Sequence, residues 1–284
     1  MVTTNRLLKS FVTHALIILF GIVMIYPIVW LFFAAFKPSS EVLTSPMLLP
    51  TRFMPSNFVN GWKLVRPLQF GHFLMNSFIL VSFCVVGSIL ISLFTGYGFA
   101  RFGFSGKNVL FTVLFLTIMM PATTTMISKY VIFTKLGWLN TYLPFAVPAF
   151  LGVGVGGGFF IFLVCQFIKG IPRELDEAAK IDGCSSLGIL LHLILPLSKS
   201  ALFSVAIFAF LWNWDDFQNQ LLYLSNIKTY TVPLALRSTI DVGGADNWGA
   251  IMAMSFVSML PAIILFFSLQ QYFVEGIAST GIKG

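Results

Sequence analysis

Charge is scarce in this chain: 10% of its 284 residues are Asp, Glu, Lys or Arg, while 57% are hydrophobic. Soluble domains carry about 25% charged residues, so a soluble globular class is excluded and an integral membrane protein is expected. Cysteine is sparse too. Cys84 and Cys165 fall in apolar runs and Cys184 in a polar one, which speaks against a disulfide framework or a metal site. His14, His72 and His192 are scattered over three segments and build no catalytic constellation. No G-x-x-x-x-G-K-S/T occurs, so the chain has no P-loop, and no cofactor of its own is expected. Internal repeats and a soluble domain are also missing. The 17 bases exceed the 10 acids, but no basic stripe interleaves with aromatics. Membrane lipid, not nucleic acid, is the expected contact.

What is present is a series of long apolar runs. Ala15 to Phe36 carries no charge over 22 residues. As a helix it would be about 33 Å long, enough to span, and too long for the apolar core of a signal peptide. Residues 37–72 hold five prolines and read as a loop with at most short helices. Further spans are expected over roughly 73–95, 108–127, 142–168, 199–224 and 248–274, six in all. Residues 130–141 read as an amphipathic interfacial segment. The run LGVGVGGG at 151–158 lies inside the fourth span. Its Gly152/Gly156 and Gly154/Gly158 spacings suit close helix packing, with a hinge as the alternative. Residues 225–247 are expected to be a loop.

One polar island interrupts this pattern. In ELDEAAKIDGCSSLGILLHLILP, residues 174–196, four acids and Lys180 fall close together, with Arg173 just before them. Acids in the first turns and Gly183 beyond the end predict a short helix with a glycine corner. An apolar segment follows and ends at Pro196. This shape suits docking into a groove on another protein.

The island resembles the cytoplasmic coupling loop of ABC importer permeases, whose pattern is EAA, three residues, Gly, nine residues, I-x-L-P. Here Glu177-Ala178-Ala179 is followed by Gly183 and then by Leu193-Ile194-Leu195-Pro196. Leu193 stands where isoleucine is usual, and Asp182 before the glycine is typical. The resemblance implies an all-α type I importer permease fold with six transmembrane helices and both termini cytoplasmic. It also implies a homologous second permease, two ATP-binding cassette subunits carrying ATP and Mg, and an extracytoplasmic solute-binding protein. Glu177 would pair with an ATPase arginine, Ala178 and Ala179 would allow close approach, and Gly183 would make the corner. The turn at 100–107, between Arg101 and Lys107, is similar to the first cytoplasmic loop of the carbohydrate-importing members.

Residues 276–284 resemble the tail of the maltose-type members, through Gly276, Gly281, Lys283 and Gly284. Ile282 replaces the usual valine, and Thr280 stands where glycine is usual. By position, Asp241, Gly243, Gly244, Asp246 and Asn247 correspond to a loop that enters the cleft of the binding protein. The similarity covers most of the chain after about residue 73. The implied organisation is an N-terminal region over 1–72, a permease core over 73–275 containing the coupling loop at 170–196, and the tail. A carbohydrate is the implied cargo.

The outer half of the fifth span is polar: WNWDDFQNQ at 212–220. If helical, it places Asn213, Asp216 and Gln220 on one face, with Trp212 beside them. Amides, an acid and an indole suit a sugar path; a polar and aromatic interfacial belt is the other reading. Charge bias does not set the orientation, since nine bases would lie inside and eight outside. An ion-coupled secondary transporter is the other function class, although such proteins place coupling acids near mid-membrane, often in repeated halves.

Overall fold

The computed structural model describes the backbone of residues 2–243 and 247–281, and side chains over 9–240 and 247–271. Within these residues every regular element is helical. A backbone removed from water must satisfy its own polar groups, and a helix does so within one segment. In chain order the helices are α1 (Val2–Ala34), α2 (Ser39–Val42), α3 (Ser56–Trp62), α4 (Phe70–Arg101), α5 (Lys107–Met119), α6 (Ala122–Lys135), α7 (Leu143–Phe150) and α8 (Gly157–Gly170). Then come α9 (Glu174–Ile181), α10 (Ser186–Ile189), a π-helical turn Leu190–Ile194, α11 (Leu195–Leu197), α12 (Lys199–Trp214), α13 (Phe217–Tyr223), α14 (Val232–Gly243) and α15 (Trp248–Gly281).

Three stretches are long and apolar enough to cross a membrane: Lys9–Ala34, Phe70–Arg101 and Trp248–Gln271. Two bent pairs qualify jointly, α5 with α6 at 99° and Ser186–Leu197 with α12 at 75°, which makes up to five spans. The expected fourth span is broken. Gly157–Gly170 is apolar but only 14 residues long, and α7 precedes it across a turn. Of the 151–158 glycines, Gly158 serves close helix packing, since a Cβ there would lie 2.7 Å from the Thr117 hydroxyl and 3.1 Å from Ile118 Cγ1 of α5. Gly152 and Gly156 take φ of 73° and make the turn, a conformation that costs other residues about 1–2 kcal/mol. Pro121 explains the α5–α6 bend, because the residue before a proline is pushed out of the helical region; Met120 has ψ 125°. Residues 130–135 continue α6 to Lys135, and 136–141 follow as turns. The expected loop at 225–247 contains α14, whose buried Val232, Ala235 and Thr239 recur at helical spacing.

The chain divides into two compact units, Met1–Gly71 with Ala235–Met259, and His72–Leu234 with Leu260–Gly284. In the first, Asn57 Nδ2 donates to the carbonyls of Ala35 (3.0 Å) and Lys37 (2.8 Å). The fully buried Lys37 reaches the carbonyl of Met47. Phe36 stacks on Phe53 with ring centroids 4.4 Å apart. From residue 9 to 28, α1 is exposed apart from half-buried Gly21.

The second unit has one continuous apolar core. Leu93, Tyr97, Phe99 and Ala100 of α4 meet Phe160, Val164, Cys165 and Ile168 of α8, Ile189, Leu190 and Ile194 of the 186–197 segment, and Val205 and Ala209 of α12. At the opposite end of α4 a polar clamp holds residues 225–232. His72 Nε2 lies 2.7 Å from the Lys228 carbonyl. Asn76 Nδ2 donates to the carbonyls of Lys228 (2.9 Å) and Tyr230 (2.8 Å), and Ser77 Oγ accepts from the Val232 amide at 2.9 Å. Asn140, left-handed at φ 61°, adds three bonds: its Oδ1 accepts from the Ser225 amide (2.7 Å), the Ser225 hydroxyl (3.0 Å) and the Asn226 amide (2.9 Å).

The turn before α8 yields a stability prediction. A Cβ at Gly156 would clash with the Trp212 ring and lie 2.7 Å from Phe160 Cζ, whereas one at Gly106, φ 81°, would meet nothing within 4 Å. Gly106→Ala is expected to cost about 1–2 kcal/mol, from backbone strain alone. Gly156→Ala is expected to cost about 1–3 kcal/mol more from overpacking. Thermal unfolding of the two variants in lipid nanodiscs checks the order.

Candidate functional site

The polar island folds as the sequence predicts. Glu174, Asp176 and Glu177 sit in the first turn of α9 and Lys180 in the last, each where the helix dipole favours its sign. Glu174, Glu177, Ala178 and Ile181 share the outer face and are exposed; Asp176 is buried and Ala179 half-buried on the inner one. Ile181 is 86% exposed, with Leu175 and Leu187 exposed nearby.

The corner after α9 is a Schellman turn. The Cys184 amide donates to Ala179 O (2.9 Å) and the Gly183 amide to Lys180 O (3.0 Å), with Gly183 at φ 83°. A Cβ there would meet nothing within 4 Å, so backbone conformation alone calls for glycine. Asp182 is the exposed C-cap. Ser185 Oγ then caps α10 by accepting from the Gly188 amide at 3.1 Å. Buried Ile189, Leu190 and Ile194 plug this second segment into the core, and exposed Pro196 lies in the turn that leads to the bend before α12.

Sequence reasoning missed what holds the loop in place. Arg101 Nε and Asp176 Oδ2 form an ion pair at 2.6 Å, with side chains only 6% and 11% exposed. Arg101 Nη2 also donates to Ile171 O (3.0 Å), and Tyr97 OH to Ser186 O (3.2 Å). Arg173 Nη2 reaches back to Ala100 O at 3.5 Å. Tyr97 and Arg101, one helical turn apart on α4, thus grip the loop before, within and after α9. Removing one member of a buried pair leaves an uncompensated charge, typically worth about 3–5 kcal/mol. The signal in the sequence was faint: an acid on the inner face of α9 and a base at the last turn of a long apolar helix.

The polar stretch at 212–220 is not one helix. It breaks between Trp214 and Phe217, and Asp216 becomes the N-cap of α13. Its carboxylate accepts from the Asn219 amide (3.2 Å) and from Asn219 Nδ2 (3.0 and 2.9 Å). The physical reason is competition: Asp side chains bond nearby backbone amides better outside a helix than within one. Asn213 and Gln220 are buried in internal bonds. Asn213 Nδ2 donates to Ala209 O (2.7 Å), Gln220 Nε2 to Asn213 O (3.0 Å), and Gln220 Oε1 accepts from the Thr231 hydroxyl. Trp212 is different. It stacks on Phe160 at 5.3 Å and 20° between planes, yet is 40% exposed.

Of the remaining sequence-predicted residues, Asp241 and Gly243 belong to the last turn of α14, and Asn247 directly precedes α15. Gly276 and Gly281 lie on α15, which extends the sixth span through to Gly281. Gly244, Asp246, Lys283 and Gly284 lie outside the described residues.

Comparisons with known proteins agree with this architecture. Residues 88–279 match the family model described as binding-protein-dependent transport system inner membrane component. The chain is 32% identical over 266 residues to the probable ABC transporter permease protein YurM of Bacillus subtilis (strain 168), covering 94% of this chain and 86% of that one. It is 31% identical over 268 residues to the trehalose/maltose transport system permease protein MalG of Thermococcus litoralis, covering 94% of each. The arabinooligosaccharides transport system permease protein AraQ of Halalkalibacterium halodurans is 29% identical over 92% of each chain. A chain from the crystal structure of a bacterial ABC transporter involved in alginate import superposes with a TM-score of 0.80 at 22% identity, covering 95% of this chain and 98% of that one. Long lipid-length helices, a polar loop between them, a chain without a P-loop and a family match over two thirds of its length converge: this chain is a multi-pass inner membrane protein of the binding-protein-dependent ABC transporter permease family.

Proposed function

We propose that this permease imports a sugar or oligosaccharide, forming half of a translocation path and taking its drive from ATPase subunits through residues 170–196. The observation that carries the reading is the outer face of α9. Glu174, Glu177, Ala178 and Ile181 form an exposed, self-supporting ridge closed by a glycine corner, while the other face is pinned to the membrane helices. Glu177 offers charge to an arginine, Ala178 allows close approach, and Ile181 fills a groove. The loop then faces the cytoplasm, and both termini with it. The partners are a second permease, two ATP-binding cassette subunits with their ATP and Mg, and an extracytoplasmic binding protein. A solved relative, 14% identical with a TM-score of 0.66, is an alginate transporter in complex with an alginate-bound periplasmic protein. Relatives named for arabinooligosaccharides and for trehalose and maltose support a carbohydrate cargo. Lipid and the second permease would cover exposed α1. No acid lies in the three continuous spans, so the ion-coupled alternative has no observation in its favour.

Of the four residues assigned to a sugar path, Trp212 and Asp216 retain exposed surface. Trp212 offers an indole backed by Phe160, the arrangement on which a sugar ring stacks. Asn213 and Gln220 are buried in bonds of their own. Residues 241–247 would meet the binding protein, and 276–284 the ATPase pair.

Three outcomes follow. Glu177→Lys and Gly183→Asp should abolish uptake of labelled maltose, trehalose or arabinooligosaccharide while the two permeases still co-purify. ATPase subunits should be lost from the complex, or their stimulated hydrolysis should fall; wild-type uptake in both variants would sink the docking role. Trp212→Ala should lower uptake per assembled complex about ten-fold, the size of one lost stacking contact, and leave basal hydrolysis unchanged. Deleting Gly276 to Gly284 should weaken stimulated hydrolysis in proteoliposomes without affecting membrane insertion; an unchanged rate removes the tail from the ATPase contact.

A further inference from the structure

We propose that α4 is a strut with a polar grip at each end, transmitting displacement of the coupling loop to the outer segment 228–232, and that Arg101 and Asp176 are its inner positioning residues. The inference rests on the docking role of α9. It adds the route by which movement leaves that helix.

The inner grip is electrostatic. Arg101 pairs with Asp176 at 2.6 Å in near-complete burial. It also binds the Ile171 carbonyl, and Tyr97 one turn earlier binds the Ser186 carbonyl. Sliding α9 past α4 would separate two charges with no water to replace either partner, and Asp176 Oδ1 already has no bond of its own. Separation is therefore strongly disfavoured, and the end of α4 follows α9. Leu93, Tyr97, Phe99 and Ala100 reinforce the grip through the core they share with Ile189, Leu190 and Ile194.

The shaft is one unbroken helix of 32 residues without an internal proline. It is about 48 Å long, enough to run from one membrane face to the other. The outer grip consists of bonds to main-chain atoms: His72 and Asn76 to the Lys228 carbonyl, Asn76 to the Tyr230 carbonyl, and Ser77 to the Val232 amide. Because these bonds fix backbone, the segment cannot relax by side-chain rotation when α4 moves. A merely structural ion pair needs no grip at the far end; a strut needs both.

The test does not require the cargo to be known. A fluorescent maleimide is placed on Lys228→Cys, whose native side chain is exposed, with exposed Cys184 replaced by serine. The labelled permease is studied in its full complex, co-purified from membranes and reconstituted. ATP with Mg should change the fluorescence in this parent. In Asp176→Asn and in Arg101→Gln the change should fall about ten-fold, a typical coupling energy, while ATP hydrolysis continues. Arg101→Lys, which keeps the charge, should restore part of it. Full amplitude in both neutral variants, or no response in the parent, overturns the strut. If the neutral variants do not assemble, Asn76→Ala with Ser77→Ala cuts the outer grip instead, and an undiminished signal there overturns it equally. Glu177→Lys separates the two readings. A full response in that variant means that α9 is not the drive. A response lost there but intact in Asp176→Asn means that α9 drives and α4 is not the route.

Discussion

In a hydrocarbon environment every backbone amide and carbonyl needs a partner, and this constraint governs where the chain is allowed to stop being a helix. Several interruptions in the second unit bring their own replacement bonds. Gly183 closes α9 by returning two amides to helix carbonyls, Asp216 caps α13, and Asn140 accepts three donors at once. A helix alone offers a side-chain surface; a properly closed break offers a corner, a docking ridge or a turn in direction.

The same medium makes charge expensive, and the few buried charges are placed accordingly. Lys37 anchors the segment after α1 through a carbonyl, and the Arg101–Asp176 pair ties a membrane helix to a surface loop. Apolar packing could hold these places with less desolvation cost, but it would allow sliding. A buried pair with defined donors fixes register, a role for which buried polar groups are well suited.

Much of this was legible in the sequence. The uncharged runs at 15–36, 73–95 and 248–274 declare spans through length and hydropathy, and the EAA-to-Pro196 pattern declares the loop because its glycine corner is set by local backbone chemistry. The losses share another cause. The pairing of Arg101 with Asp176 joins residues 75 positions apart, and no local rule connects them. The glycines at 151–158 satisfy a packing spacing and a turn equally well; Gly158 packs against α5, while the positive φ of Gly152 and Gly156 assigns them to the turn. Asp216 fits a helical face by spacing, yet its carboxylate gains more as a cap. The period of α14 was hidden by Thr239, a polar residue in a buried position.

The clamp at the start of α4 also has a consequence for biogenesis. Asn76 and Ser77 find their partners at Lys228, Tyr230 and Val232, more than 150 residues later in the chain. A ribosome adds about 5–20 residues per second, so those partners do not exist until roughly 8–30 s after α4 has been made. Through that interval the end of α4 carries polar groups that only water, lipid headgroups or a membrane insertase can satisfy. This end of the unit is therefore completed late, whatever the order in which its apolar helices enter the bilayer.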